Sequence, residues 1–408
     1  MNILLINHYA GSPKLGMEYR PYYMAKHWCR MGHKVTIIAA SQSHVRSTQP
    51  IISNRFEEEE LEGIKYIWLK TPSYNGNGIG RIFNMLIFIY KLFMYSKKII
   101  NKAKPDVVIA SSTYPLDILP AYRISVKSKS KLIFEVHDLW PLSPIEIGGF
   151  SKWNPFIVIM QCAENFAYKH SSQVVSMLPM TLKHMVDHGL IPEKFNYVPN
   201  GIEIDEWKEN ELLPIDHKNL IIALKKENHK LVSYTGSFGL ANALDFLIDA
   251  AKILEKENIS FLIVGKGPER EKLFKKIKTL DLKNVFILDS VRKEVIPALL
   301  SEMDILYIGL RKQPLFRFGI SPNKLIDYMM AARPIIQAID AGNDIVTESN
   351  CGITIEPENQ QDIAEAIRKI INLSEFERKE MGENGKKFVI ENHNYKFLAN
   401  KFIEILQK

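Results

Sequence analysis

The sequence predicts an α/β protein of two doubly wound domains, and three observations carry the prediction. The chain has 408 residues, more than one domain at about 150 residues each. Short β-branched apolar runs alternate with longer stretches of helical spacing in both halves. Most of those runs are apolar on both faces, as in parallel strands buried between two layers of helices.

In the first half the strand-like runs are residues 2–6, 34–40, 65–69, 106–111, 131–136, 173–177 and 195–198. In the second they are 230–236, 260–265, 284–288, 304–309, 334–338 and 352–355. Two successive β/α series predict two Rossmann-like domains facing across a cleft, with ligand at the carboxyl ends of the strands. The periodicity breaks over the polar stretch 204–219, which carries Pro214, so the domains are expected at 1–205 and 206–393. Residues 394–408 read as an amphipathic helix, and the acidic run Glu57–Glu60 as a solvated loop.

Composition narrows the function. Apolar residues are 46% and charged residues 24%, values that exclude a disordered chain. Cys29, Cys162 and Cys351 show no C-x-x-C spacing, which excludes a disulfide scaffold and points to reduced thiols in the cytoplasm. The net charge of +7 suits an anionic partner such as a nucleotide phosphate, a nucleic acid or an acidic membrane. Residues 1–6 run straight into an apolar strand, without the basic segment and cleavage site of a signal peptide. The stretch 79–104 carries Phe83, Leu86 and Phe88 with Lys91, Lys97, Lys98, Lys102 and Lys104. It reads as too interrupted to span a bilayer. It suits either docking on an anionic membrane surface or a buried helix with a basic end.

Three glycine-bearing turns follow strands of the second half: Gly236, Phe238 and Gly239; Gly265 with Lys266; and the stretch 319–324. The first precedes a helix expected over 240–254, with Leu240, Leu244, Leu247, Ala251 and Leu254 on one side. In the third, Ser321 is a suitable N-cap and Pro322 a suitable first helical residue. The amides of Asn323 and Lys324 then form an anion site at the helix start. Asp327 shares their face and is placed to accept hydrogen bonds from ribose hydroxyls. The same spacing also describes a self-capped helix with a solvent-facing Asp. Lys266, Arg311, Lys312 and Arg317 follow strands of this half and are candidates to neutralise a diphosphate leaving group.

In the first half, Gly11 and Gly16 bracket a loop after the first strand, where a ligand can approach the backbone, with Glu18 and Arg20 nearby. Residues 134–141 end a strand in Glu135, His137 and Asp138, followed by Trp140 and Pro141. His137 and Asp138 are candidates for proton transfer, and Glu146 is a further candidate. No Asp-x-Asp, Walker or G-x-S-x-G motif occurs, nor a His/Cys/carboxylate cluster with metal-ligand spacing, so no metal site is expected. No G-x-G-x-x-G follows either first strand, which disfavours a nicotinamide enzyme.

Together these motifs resemble the retaining glycosyltransferases of the GT-B fold, family-4 type, over nearly the whole chain. The most specific mark is the stretch from Ser321 to Met329, with Pro199–Glu203 and the loops above beside it. Residues 7–11 and 138–141 look like the bacterial L-fucosamine-transferase-like branch that builds O-antigen or capsule repeats. The family usually has two glutamates separated by seven residues. Here Gly319 stands at the first position and Asp327 at the second, so the nucleotide role carries over to Asp327 alone. The basic pair usual after the first strand of the second domain is also missing, and its phosphate role is transferred to Lys266 and Arg317.

The resemblance implies a UDP-sugar donor on the second domain and no metal or other cofactor. It implies an acceptor against the first domain, onto which the helix 394–408 crosses back. A polyprenyl-diphosphate-linked saccharide acceptor, and a cytoplasmic enzyme peripheral to the inner membrane face without nucleic acid partners, complete the expectation. A UDP-sugar 2-epimerase of the same fold, or a non-enzymatic sugar-nucleotide or membrane-binding module, are the alternatives.

Overall fold

In the computed structural model, which describes residues 1–76 and 78–408, the apolar runs form two sheets. The chain divides into two units: Met1–Asn200 with Tyr395–Lys408, and Gly201–Asn394. Both are Rossmann-like.

The first unit holds strands β1 (Asn2–Ile6), β2 (Lys34–Ala40), β3 (Phe56–Leu61), β4 (Ile64–Leu69), β5 (Val107–Ala110), β6 (Lys131–Val136), β7 (Gln173–Ser176) and β8 (Phe195–Tyr197). They lie in the order β3-β4-β2-β1-β5-β6-β7-β8. Every pairing is parallel except β3 with β4. Central β1 pairs Ile3 with Val35 on one side and Val107 on the other. The connection order reverses between β1 and β5. In such sheets ligands bind outside the carboxyl ends at this switch point.

The acidic run is not a loop. Glu57–Glu60 lies in β3, paired antiparallel with β4 at the sheet edge. Glu58 pairs with Lys65 at 2.6 Å and Lys102 at 2.8 Å, and Glu59 accepts from Trp68 Nε1 at 2.7 Å. Charge on an edge strand blocks edge-to-edge association, which is why four glutamates suit that place.

The helix Ile79–Ala103 buries Met85, Phe88, Leu92 and Ile99 in this unit. Against the sequence expectation, its length and composition are sufficient to cross a membrane. One face is nonetheless embedded, while Ile79, Phe83, Leu86, Tyr90 and Met94 form an exposed stripe at intervals of three or four residues. The return helix Tyr395–Gln407 packs on the helix Arg20–Arg30. Trp28 meets Phe402 edge-on at 5.2 Å and donates from Nε1 to Ala399 O at 3.2 Å, while Tyr23 stacks on Tyr395 at 5.1 Å.

The second unit holds β9 (Lys230–Ser237), β10 (Ile259–Lys266), β11 (Val285–Leu288), β12 (Ile305–Gly309), β13 (Ile335–Ala338) and β14 (Gly352–Ile355). The sheet is wholly parallel, in the order β11-β10-β9-β12-β13-β14, and reverses between β9 and β12. Two helix starts differ from expectation. After β9 the helix begins at Leu244, because Ala243 takes a left-handed φ of 49° that breaks the run. Leu240 is therefore 57% exposed rather than buried. The later helix spans Asn323–Met330 with extended Pro322 at the cap and no side-chain cap bond, so Ser321 lies one residue too early to cap it.

Candidate functional site

In the second unit the switch-point strand ends are packed by glycine. A Cβ on Gly265 would sit 1.8 Å from Gly236 O, and one on Gly267 would sit 2.6 Å from Phe238 O. Phe238 is fully buried, its amide donates to Lys266 O at 2.8 Å, and its carbonyl accepts from Glu269 N at 3.0 Å. These residues bring the β9 and β10 turns together rather than presenting side chains to a ligand.

Over this glycine floor runs Lys324. A Cβ on Gly236 would fall 2.6 Å from Lys324 Cε. The Lys324 ammonium donates to Tyr234 Oη at 2.6 Å and Asn242 Oδ1 at 3.2 Å, and lies 4.0 Å from the Tyr234 ring centroid. Both acceptors are neutral and both are turned towards Ser237 O, to which Tyr234 Oη donates at 2.6 Å and Asn242 Nδ2 at 3.0 Å. Burial alone pulls the Lys324 pKa down to about 7. A lysine held this way, with no carboxylate among the described residues to balance it, has a positive charge that an anion can offset.

Its helix is fixed by Tyr328, whose hydroxyl accepts from Thr235 N at 2.7 Å and donates to Thr235 O at 3.1 Å. On the entry side, Asn343 holds Ile320 through both backbone groups, at 2.7 and 3.1 Å. The first amides of such a helix have no intrahelical acceptor, so those of Asn323 and Lys324 begin a positive helix end. Asp327, three residues on, is half-buried. Burial raises its carboxyl to about 7, with the Lys293 charge pulling the other way. A carboxyl at that balance accepts hydrogen bonds from hydroxyls without demanding a cation.

In the first unit the ends of β1, β5 and β6 form one polar network. Glu135 is buried, and Arg20 donates to its Oε1 from Nε at 2.9 Å. Burial would raise Glu135, but Arg20 first, then His137 and Ser111, hold its carboxyl well below the ordinary range. Ser111 Oγ donates to Glu135 Oε2 at 2.6 Å and lies 2.9 Å from His137 Nε2. Because the Ser111 hydrogen goes to the carboxylate, Nε2 of His137 is the donor, and in the neutral imidazole Nδ1 is then the acceptor. His8 is fully buried between Tyr114 Oη at 2.5 Å on Nδ1 and Asn84 Oδ1 at 2.7 Å on Nε2. Burial holds its pKa well below the ordinary value. Asp117 is also buried, with Oδ2 on Ser112 N at 2.9 Å and Oδ1 unpartnered, and desolvation raises it to about 7.

Residues 16–206 match the Glycosyltransferase Family 4 domain, and residues 229–373 match the Glycosyl transferases group 1 domain. The chain is a glycosyltransferase of the GT-B type. Among curated relatives it is 21% identical to the probable glycosyltransferase WbjE of Pseudomonas aeruginosa, covering 80% of this chain and 79% of the relative. It is also 21% identical to the putative colanic acid biosynthesis glycosyl transferase WcaI of Escherichia coli, over 84% and 85%. Among solved structures, Anabaena HepE in complex with UDP and glucose aligns over 100% of both chains, at 17% identity and a TM-score of 0.68. The family matches favour transfer over the epimerase alternative.

Within the transferase, the predicted residues fall into three groups. Lys324, Asp327, Asn323, Pro322 and Ser321 share one helix start, with Gly236, Gly239 and Gly265 at the neighbouring strand ends. Lys266 is the exposed last residue of β10. Arg317 is exposed on a short turn, where Nη1 donates to Pro314 O at 2.6 Å over the Phe318 ring. Arg311 and Lys312 depart from the leaving-group expectation. Arg311 clamps Asp245 at 2.9 Å and Glu358 at 2.7 Å, and Lys312 meets Asp340 at 2.9 Å, so both charges are already balanced. Gly319 has φ 94°, a left-handed conformation in which a glutamate would be strained.

In the transferase's first unit, His137 joins the Glu135 network. Asp138 turns inward, its Oδ1 accepting from Leu139 N at 2.9 Å and Ser143 Oγ at 2.7 Å, while burial raises its pKa. Asp138 thus holds the turn into Leu142–Glu146, whose last residue is Glu146. Arg20 is spent on Glu135 and on Val198 O and Pro199 O, so it is closed to a substrate. Gly11 and Gly16 serve the loop itself, since a Cβ on Gly11 would lie 1.9 Å from Gly16 O. Sequence reasoning missed Tyr234, Asn242, Ser111 and Asp117. These neutral or isolated residues belong to no short motif.

Proposed function

We propose that this glycosyltransferase moves a sugar from a UDP-sugar to a saccharide carried on a polyprenyl diphosphate, in the assembly of a surface polysaccharide. The observation that carries the donor half is Lys324, a half-buried ammonium with neutral partners and no counter-ion among the described residues. A diphosphate beside it and the Asn323 and Lys324 amides supplies the missing negative charge, while Asp327 takes the ribose hydroxyls. UDP complexes of HepE support the choice of nucleotide, and the names of WbjE and WcaI support the saccharide setting. The resemblance of residues 7–11 and 138–141 to the fucosamine-transferase branch supports an N-acetylated amino sugar such as N-acetyl-L-fucosamine.

The proposed reaction is metal-independent and retaining. The bond from the anomeric carbon to the diphosphate oxygen breaks, the acceptor oxygen bonds on the same face, and its proton passes to the departing phosphate. Lys324 offsets the charge that develops on the leaving group, with Lys266 and Arg317 as further cations. His137 Nδ1 accepts a hydrogen bond from the acceptor hydroxyl and orients it. The exposed stripe Ile79, Phe83, Leu86, Tyr90 and Met94, continued by Lys97 and Lys98, supports docking of the first unit on an anionic inner-leaflet surface, where such an acceptor resides.

The test is a product assay with a UDP-sugar panel, a polyprenyl-diphosphate saccharide and EDTA, followed by NMR. Transfer with the donor's anomeric configuration kept is expected. Inverted product, dependence on added metal, or conversion of the UDP-sugar to its 2-epimer without acceptor would overturn the proposal.

A further inference from the structure

The first unit holds a second polar cluster, which shares no residue with the Glu135 network. Glu164, on the helix Pro155–His170, is 2% exposed. Its Oε1 lies 3.3 Å from His184 Nε2, on the helix Leu182–Asp187. His188 caps that helix, and its ring centroid lies 4.2 Å from that of His184. One ligand atom from each of the three side chains falls within 4.8 Å of the other two, and among the described residues no other such group forms.

Three features make this more than a hydrogen bond between a histidine and an acid. The 3.3 Å separation is the spacing of two ligands on a tetrahedral ion with bonds of about 2.0–2.1 Å. The atoms behind the ligands are already oriented. His188 Nδ1 donates to His184 O at 2.8 Å, which leaves Nε2 to coordinate. Tyr168 donates to Glu164 Oε1 at 2.8 Å, and Gln161 donates to Oε2 at 2.7 Å. Among the described residues the buried Glu164 carboxyl has no lysine or arginine partner, so His184 is the basic group paired with it, and buried acids are commonly paired or bound to a metal.

We propose that Glu164, His184 and His188 bind one zinc-type divalent cation, with water in the fourth position, and so tie the two helices together. Two imidazoles and a carboxylate are the donor set of a zinc site rather than of calcium or magnesium, which take oxygen. The role is structural, and it leaves the metal-independence of transfer untouched. Sequence inspection missed the site because Glu164 lies twenty residues from His184, and only His184-x-x-x-His188 is local.

Tag-free, full-length protein is stripped with EDTA, dialysed and titrated with zinc chloride by calorimetry, with cobalt(II) as a spectroscopic probe. One ion per chain and visible d–d bands of a tetrahedral cobalt site are expected. His188→Gln should abolish both with far-UV circular dichroism unchanged, and Tyr168→Phe should weaken binding about tenfold or more. His229→Gln, in the other unit, should change nothing. Absence of stoichiometric uptake by the wild type, or uptake that survives His188→Gln, would overturn the proposal. The wild-type cobalt spectrum decides the matter should a variant fail to fold.

Discussion

Replacing Lys324 with Met separates binding from stability in a way few substitutions can. Burial lowers the lysine from 10.5 to about 7, which at about 1.4 kcal/mol per pKa unit corresponds to about 5 kcal/mol. Because the residue is only half-buried, roughly half of that, about 2 kcal/mol, is a realistic gain for the unliganded protein when the charge is removed. Methionine is close in length, and Tyr234 keeps its bond to Ser237 O, so no donor is orphaned. For a unit of this size, Tm should rise by about 4–8 °C at neutral pH. The sign with pH follows from the depressed folded pKa. The penalty is full below about pH 7 and fades as pH rises towards the unfolded value, so the variant's advantage should shrink in alkali. UDP binding should move the opposite way. Losing a charge-assisted contact worth about 1.5–3 kcal/mol weakens it tenfold to more than a hundredfold. Scanning calorimetry at pH 6.5 and 9.5, paired with UDP titration, measures both. A variant that binds UDP normally, or that melts below the wild type at both pH values, would refute this reading of Lys324.

Three further outcomes are expected. Glu135→Gln leaves buried Arg20 without its counter-charge and should cost about 3–5 kcal/mol in urea unfolding at pH 7. Since the folded Glu135 pKa is depressed, its contribution is present above the ordinary glutamate range and lost as pH falls through the folded value, so the difference should narrow in acid. Gly265→Ala meets Gly236 O at 1.8 Å, backbone against backbone, and should lose about 3 kcal/mol in a thermal melt along with UDP binding. The pair Phe83→Glu and Leu86→Glu, both on the exposed stripe, should reduce sedimentation with anionic vesicles about tenfold while leaving Tm unchanged.

The fold was legible because periodicity survives translation into strands. All thirteen apolar runs assigned to strands are strands, and β3 escaped only because Glu57–Glu60 looks like a loop until Glu58 is seen between Lys65 and Lys102. Helix starts were less legible. Ser-Pro before Asn323 obeys capping preferences, yet the cap falls at Pro322, and the left-handed Ala243 has no sequence signature. In the candidate site, residues clustered in sequence were found and residues gathered by topology were not. Asn323, Lys324 and Asp327 share one helical turn and so could be read together. Tyr234 and Asn242, which hold the lysine, are separated from it by 90 and 82 positions. The charges of Arg311 and Lys312 were visible, but the carboxylates that cancel them lie far along the chain. Chemistry type is local in sequence, whereas electrostatic balance is set by distant partners.

The return helix Tyr395–Gln407 bears on the order in which a ribosome makes this protein. It belongs to the first unit, so the entire second unit is an insertion within the first. Trp28, Tyr23 and their neighbours emerge early, yet their partners Phe402, Ala399 and Tyr395 are synthesised some 370 residues later. Through most of translation the apolar face of Arg20–Arg30 is uncovered, lacking aromatic contacts worth about 2–3 kcal/mol for each ring buried. The second unit has its whole sequence before the first does. Vectorial synthesis therefore favours a nascent chain whose nucleotide-binding half is folded while its N-terminal half still exposes a sticky helix, the kind of intermediate that chaperones recognise.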